Sequence, residues 1–137
     1  MLVKGKRYKT LWLEKETVKI IDQTKLPFRF KIIKLQSLND FCEAISNMQV
    51  RGAPLIGVTG AFGMAVSMSK NPRDININKS YDRLLSTRPT AVNLRWSLDL
   101  IKEKLIRVDI LDRPEEAMEY AKNNNIIYSC LVKLGVV

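Results

Sequence analysis

An α+β fold is expected, with a small antiparallel three-stranded sheet over residues 1–36 and a mainly helical stretch over 37–137, together one domain. Three observations predict it. Residues 8–35 carry three short runs rich in β-branched, aromatic and leucine residues, separated by charged or proline-ended breaks. From residue 38 onward, apolar residues recur at spacings of three and four. A chain of 137 residues, 46% apolar and 27% charged, has the length for one ordinary core and the composition of a water-soluble globular protein.

Residues 8–13 and 17–21 flank the charged run Glu14, Lys15 and Glu16, which is a hairpin pattern. The connection D-Q-T-K-L-P ends at Pro27, whose ring pushes Leu26 toward extended backbone. Residues 28–35 then alternate, with Phe28, Phe30 and Ile32 on one face and Arg29 and Lys31 on the other, as a third strand would. Ser37 can cap a helix over 38–48, with Asp40 in its first turn and Phe41, Ala44, Ile45 and Met48 as its buried stripe.

Pro54 suits the first turn of a helix over 54–69, since its missing N–H would be unpaired there anyway. Gly57, Gly60 and Gly63 lie inside that helix, and each costs about 0.5–1 kcal/mol relative to alanine, so the helix should be buried against a close neighbour. Residues 71–80, with Pro72 and several asparagines, read as a polar loop, and 81–85 as a short helix. Pro89 suits another helix start with Arg88 immediately ahead of it, repeating the placement of Arg51 before Pro54. Ala91, Leu94, Leu98, Ile101 and Leu105 form the stripe of that long helix, widened by Trp96 and Leu100. Asp112 can cap a last helix, with Pro114 in its first turn and Glu115 completing a capping box. Asn123, Asn124 and Asn125 are poor helix residues, so the end of the chain reads equally as helix, as helix plus strand, or as a tail that pairs with a partner.

The net charge of +9 would attract polyanions, but the basic residues are scattered and only K-G-K-R-Y-K, residues 4–9, clusters. No nucleic-acid motif appears, so a positively biased surface that favours a phosphorylated substrate is the expectation, without nucleic acid as partner. The chain has no histidine and two cysteines, Cys42 and Cys130, which removes histidine triads and histidine metal sites; no metal and no cofactor is expected. Cys42 reads as a small core residue. Neither a secretory signal nor an apolar run of membrane-spanning length is seen, so a cytoplasmic protein with no membrane partner is expected.

The stretch that looks built for chemistry is M-Q-V-R-G-A-P-L-I-G-V-T-G-A-F-G-M, residues 48–64. Arg51 stands just ahead of a helix start, and Gly52 and Ala53 let a backbone approach a ligand closely. A helix N-terminus carries roughly +0.5 of an elementary charge, so this is a natural seat for a phosphate. An ordinary turn before a tightly packed helix would show the same residues, and both readings stand on physics alone.

This stretch resembles a signature of the methylthioribose-1-phosphate isomerases, which share a superfamily with the regulatory subunits of the initiation factor 2B exchange complex. I-D-Q-T-K-L-P, residues 21–27, and S-T-R-P-T-A-V-N-L-R-W-S-L, residues 86–98, resemble the same family in the same order. The resemblance implies conversion of 5-methylthioribose 1-phosphate to 5-methylthioribulose 1-phosphate, an aldose–ketose isomerisation in methionine salvage. It also implies a two-domain design, in which an N-terminal part contacts anion and sugar while a Rossmann-like C-terminal domain supplies a catalytic cysteine and aspartate. Residue by residue, Arg51, Gly52, Ala53 and Arg88 fall on substrate-binding positions. The cysteine's T-H-C-N-like motif does not occur in this sequence, and Cys130, in Y-S-C-L-V, lacks the asparagine and arrives too early to stand for it. The expectation is therefore an N-terminal portion without the catalytic domain: truncated, split from a separate C-terminal chain, or put to another use, and able to form a homodimer. A non-catalytic regulatory module of the same superfamily is the alternative.

Overall fold

The computed structural model describes residues 2–3, 6–7 and 9–135, with the side chains of 9–129 and 131–135. Residues 4, 5 and 8 of the 4–9 basic cluster lie outside the described residues, as do the side chains of 6 and 7 and that of Cys130. A two-stranded ribbon pairs β1 (Leu2–Val3) with β2 (Lys6–Arg7), an element the sequence pattern does not announce. The antiparallel sheet follows in the order β3 (Leu11–Glu14), β4 (Thr17–Ile21), β5 (Ile32–Leu35). Lys15 and Glu16 make the hairpin turn with φ of 49° and 68°, and Leu11 stands opposite Ile20, which stands opposite Ile33. One face of this sheet, with Leu11, Val18, Ile20 and Leu35, is buried.

The third strand is shorter than residues 28–35 suggest and its faces are reversed. Phe28 is 94% exposed, and pairing begins only at Ile32, itself 42% exposed, while Ile33 and Leu35 turn inward. The reason is local: Arg29 N–H bonds back to Lys25 O at 2.8 Å around a cis Leu26–Pro27 peptide, so residues 25–29 are spent on a turn.

Five α-helices follow among the described residues: α1 (Leu38–Ser46), α2 (Ala53–Lys70), α3 (Asp74–Thr87), α4 (Val92–Ile106) and α5 (Arg113–Lys133). Ser37 caps α1 as its residue type demands, accepting from Asp40 N–H while Asp40 accepts from Ser37 N–H. α2 is the axis of the bundle, packed by α1, α3, α4 and α5, and buried on every side from Leu55 to Ala65. Its glycines make the close approach possible: a Cβ on Gly57 would lie 3.1 Å from Asn93 O, and one on Gly60 would lie 2.6 Å from Leu94 Cδ1.

Four expectations are corrected. Residues 74–80 are helix, not loop, because Asn76 Nδ2 donates to Ser67 O, Ser67 Oγ and Asn71 O while Ile77 packs into the core. Met48 is 45% exposed with φ of 60°; it reverses the chain after α1 instead of closing its stripe. Trp96 is 64% exposed, and Ser97 takes the buried place beside Leu98. Asp112 ends a 3-10 turn, Ile110–Asp112, that runs straight into α5, and α5 continues through its three asparagines to Lys133. No described helix is long and apolar enough to cross a membrane.

Candidate functional site

The segment between α1 and α2 is fixed from behind and open in front. Gln49 N–H bonds to Ala44 O at 2.9 Å, Gln23 N–H bonds to Gln49 O at 3.0 Å, and Val50 is fully buried. Those anchors join I-D-Q-T to the Arg51 stretch. Asp22, also buried, holds its own turn by accepting from Thr24 N at 3.0 Å and Thr24 Oγ1 at 2.5 Å.

Beyond Val50 the chain emerges, and Arg51, Gly52 and Ala53 are exposed. Gly52 is the N-cap of α2 with φ of 89° and ψ of 131°, a backbone conformation that L-residues with side chains rarely adopt. A Cβ there would meet nothing within 4 Å, so conformation and not space calls for glycine. No side chain caps α2, and Pro54 has no N–H; the amides of Ala53 and Leu55 are left at an open helix start. No described residue forms a hydrogen bond or ion pair with the Arg51 guanidinium.

Arg88 is differently placed from what its sequence position suggests. It is the C-cap of α3, with φ of −148° and ψ of 78°, and α4 begins four residues later at Val92. Pro89 therefore lies in a turn closed by Ala91 N–H to Arg88 O at 3.0 Å, not in a helical first turn. Arg88 is half-buried, and its guanidinium also has no hydrogen-bond or ion-pair partner among the described residues. The two arginine-bearing segments are linked through their helices: Ser97 Oγ donates to Gly57 O at 2.9 Å in a buried contact, and the first two turns of α2 lie on the first two turns of α4. Arg51, Gly52 and Ala53 thus form one contiguous exposed corner, and Arg88 belongs to the turn that leads into the helix packed against it.

Two features went unseen in the sequence. Arg113 is 4% exposed and donates from Nε to Leu105 O at 2.9 Å and Val108 O at 3.2 Å, and from Nη1 to Pro72 O at 2.8 Å, with Asp74 at 2.6 Å as ion-pair partner. Beside the opening turns of α2 and α4, and against the second half of α5, lies an apolar groove of about 220 Å³. Cys42, as expected, is a buried core thiol, and burial pushes its pKa up, away from thiolate chemistry.

The family model for the initiation factor 2 subunit family matches residues 49–128. The chain belongs to that family. Among curated relatives, a methylthioribose-1-phosphate isomerase from Rhodospirillum centenum is 49% identical over 119 residues, covering 85% of this chain and 32% of the relative. One from Escherichia coli O45:K1 is 44% identical over 123 residues, covering 88% of this chain and 33% of the relative. The chain thus spans about a third of the length of these family members. Two solved structures superpose on this member of the family. The 5-methylthioribose 1-phosphate isomerase from Pyrococcus horikoshii does so with TM-score 0.78 and 32% identity, over 87% of this chain and 36% of that one. The translation initiation factor eIF-2B delta subunit from A. fulgidus does so with TM-score 0.77 and 29% identity, over 86% and 36%. The small sheet followed by a helical bundle is the part of the fold that these neighbours share with this chain.

Proposed function

We propose that this chain supplies the sugar-phosphate-binding part of a methylthioribose-1-phosphate isomerase, acting in methionine salvage in the cytoplasm. Arg51, Gly52, Ala53 and Arg88 are its ligand contacts. The observation that carries the reading is the start of α2: an uncapped helix end, a glycine at φ 89°, and an exposed arginine with no partner among the described residues, all in one corner. A phosphate fits that corner because amide N–H groups and a planar guanidinium both donate to its oxygens, and the helix end adds positive potential. Binding the substrate by its phosphate orients C1 and C2 for the aldose–ketose exchange. On this reading the cysteine and aspartate that the family resemblance implies for moving the proton or hydride come from a further domain or a second polypeptide, as no T-H-C-N-like motif occurs among these 137 residues.

Isothermal titration with 5-methylthioribose 1-phosphate tests this. Arg51→Ala should weaken binding by about 10- to 100-fold, the worth of a charge-assisted hydrogen bond of roughly 1.5–3 kcal/mol. Unchanged affinity in that variant would contradict the assignment. A non-catalytic regulatory module is the second reading, favoured by the nearly equal superposition on the eIF-2B delta subunit. It predicts indifference to the sugar phosphate in the unsubstituted protein.

A further inference from the structure

Of the three stretches singled out in the sequence, I-D-Q-T-K-L-P is the one without a task in the reading above. Its Asp22, at 2% exposure, is the one buried carboxylate among the described residues. We infer that Asp22 is a positioning residue for the sugar-phosphate site: its carboxylate holds the turn that fixes the backbone from which Arg51 projects. The inference rests on the function proposed above and adds to it a side chain that touches no ligand.

The first argument is what the carboxylate touches. A carboxylate taken out of water loses its hydration, and protein donors have to replace it. Asp22 forms no ion pair with a described residue. Its compensation is Thr24, whose N–H donates to Oδ1 at 3.0 Å and whose hydroxyl donates to the same oxygen at 2.5 Å. An aspartate that accepts from the amide two residues on closes a turn in its own backbone, and a carboxylate acceptor makes such bonds stronger than a neutral one. The main chain joins in: Asp22 N–H donates to Lys31 O at 2.9 Å, and Asp22 O accepts from Lys25 N–H at 3.2 Å.

The second is what that turn touches. Gln23, between Asp22 and Thr24, donates its N–H to Gln49 O at 3.0 Å. The peptide that carries this carbonyl also carries the Val50 N–H, which reaches back to Ala44 O at 3.4 Å. Without the Gln23 bond that peptide keeps a single long hydrogen bond, beyond the ordinary range of about 2.7–3.2 Å. Arg51 is the next residue, exposed and ahead of the open α2 start. No described residue bonds to its guanidinium, so its direction comes from the backbone that carries it. Donors that meet a ligand need placement within about 0.5 Å, and an error of about 1 Å can cost up to about 100-fold.

Titration of the full chain with 5-methylthioribose 1-phosphate, with urea denaturation of each variant alongside, tests this. Asp22→Ala should weaken binding about tenfold, and Asp22→Asn, which keeps an oxygen for the Thr24 donors, should restore affinity to within about threefold. Thr24→Val, at an exposed position, removes one of the two donors and should weaken binding about threefold, with Thr24→Ser restoring it. That pair decides the matter if Asp22→Ala does not fold. Ile77→Val, in the core beside the other end of α2, should lower stability and leave affinity unchanged. Unchanged affinity in Asp22→Ala, or in Thr24→Val where Asp22→Ala does not fold, overturns the inference. So does an equal loss in Asp22→Asn, which would make charge and not the turn the cause, or an equal loss in Ile77→Val, which would make it stability. In each of these cases, weakening by Arg51→Ala leaves the phosphate-binding reading standing. If the unsubstituted chain does not bind the sugar phosphate, that reading falls and this inference falls with it.

Discussion

Arg113 and Arg51 both stand at helix starts, and their surroundings are opposites. Arg113, the first residue of α5, is 4% exposed and meets three backbone carbonyls and the Asp74 carboxylate, so it ties the C-terminal end of α4 and the start of α3 onto α5. Arg51 precedes an uncapped helix, is exposed, and has no partner among the described residues. A buried guanidinium must find its acceptors inside the protein, since leaving them unmade costs more than the bonds themselves contribute. An exposed one held out by a fixed backbone can keep its donors for something that arrives from solution. The contrast separates an arginine that builds the fold from one available to a ligand, although both are single arginines in the same kind of place.

Substitutions sharpen that contrast in descending order of effect. Arg113→Met should lower unfolding free energy by about 2–4 kcal/mol, because the carbonyls of Leu105, Val108 and Pro72 lose their donor, while ligand affinity in the fraction that remains folded is retained. Urea denaturation with parallel titration measures both; a stable variant would show that the carbonyls find water instead. Gly52→Ala should cost about 1–3 kcal/mol through backbone strain alone, as open space surrounds the added methyl group, and it should also weaken ligand binding by tilting the amides of the α2 start. Retained stability together with lost binding would mean that the helix start had rearranged rather than strained.

The smallest effect concerns a contact of intermediate kind, the hydrogen bond from Tyr81 on α3 to the Asp99 carboxylate on α4, with Lys102 Nζ 4.5 Å from the ring centre. That bond, aided by burial, raises the tyrosine pKa. A raised folded pKa means the contribution is fully present below the ordinary tyrosine value of about 10 and is lost as pH rises through the raised value. Stability should therefore fall more steeply in alkali in the unsubstituted protein than in Tyr81→Phe. Parallel curves in chemical denaturation across that range would contradict it. Such a contact, like Arg113, acts on the fold and should leave sugar-phosphate binding unmoved at neutral pH.

The features legible in the sequence are those with local causes. The α1 start could be read because Ser37 and Asp40 satisfy each other's backbone within three residues, and the α4 stripe because Leu94, Leu98, Ile101 and Leu105 repeat at helical spacing. The first half of α3 could not, since Asn76 is held by Ser67 and Asn71, partners that no spacing reveals. The same holds for Arg113, whose acceptors are main-chain oxygens at the end of α4 and, 41 residues back, at Pro72. At the candidate site, the place of Arg51 just ahead of a helix start was legible, whereas Gly52, expected for close approach to a ligand, is called for by its φ of 89° in open space. The setting of Arg88 was not legible: Pro89 suggested a helix start, but α3 runs on to Thr87 and makes Arg88 its cap. Trp96 was misread for a related reason, because a helical stripe says which residues share a face and not where neighbouring helices stop covering it.

The most direct test of the central claim compares two helix starts in one experiment. Backbone amide resonances of the ¹⁵N-labelled chain are followed during titration with 5-methylthioribose 1-phosphate. The account predicts the largest shifts at Gly52, Ala53 and Leu55, with the side-chain-capped start of α1 around Asp40 unmoved. Shifts concentrated elsewhere, or none at the α2 start, would contradict it.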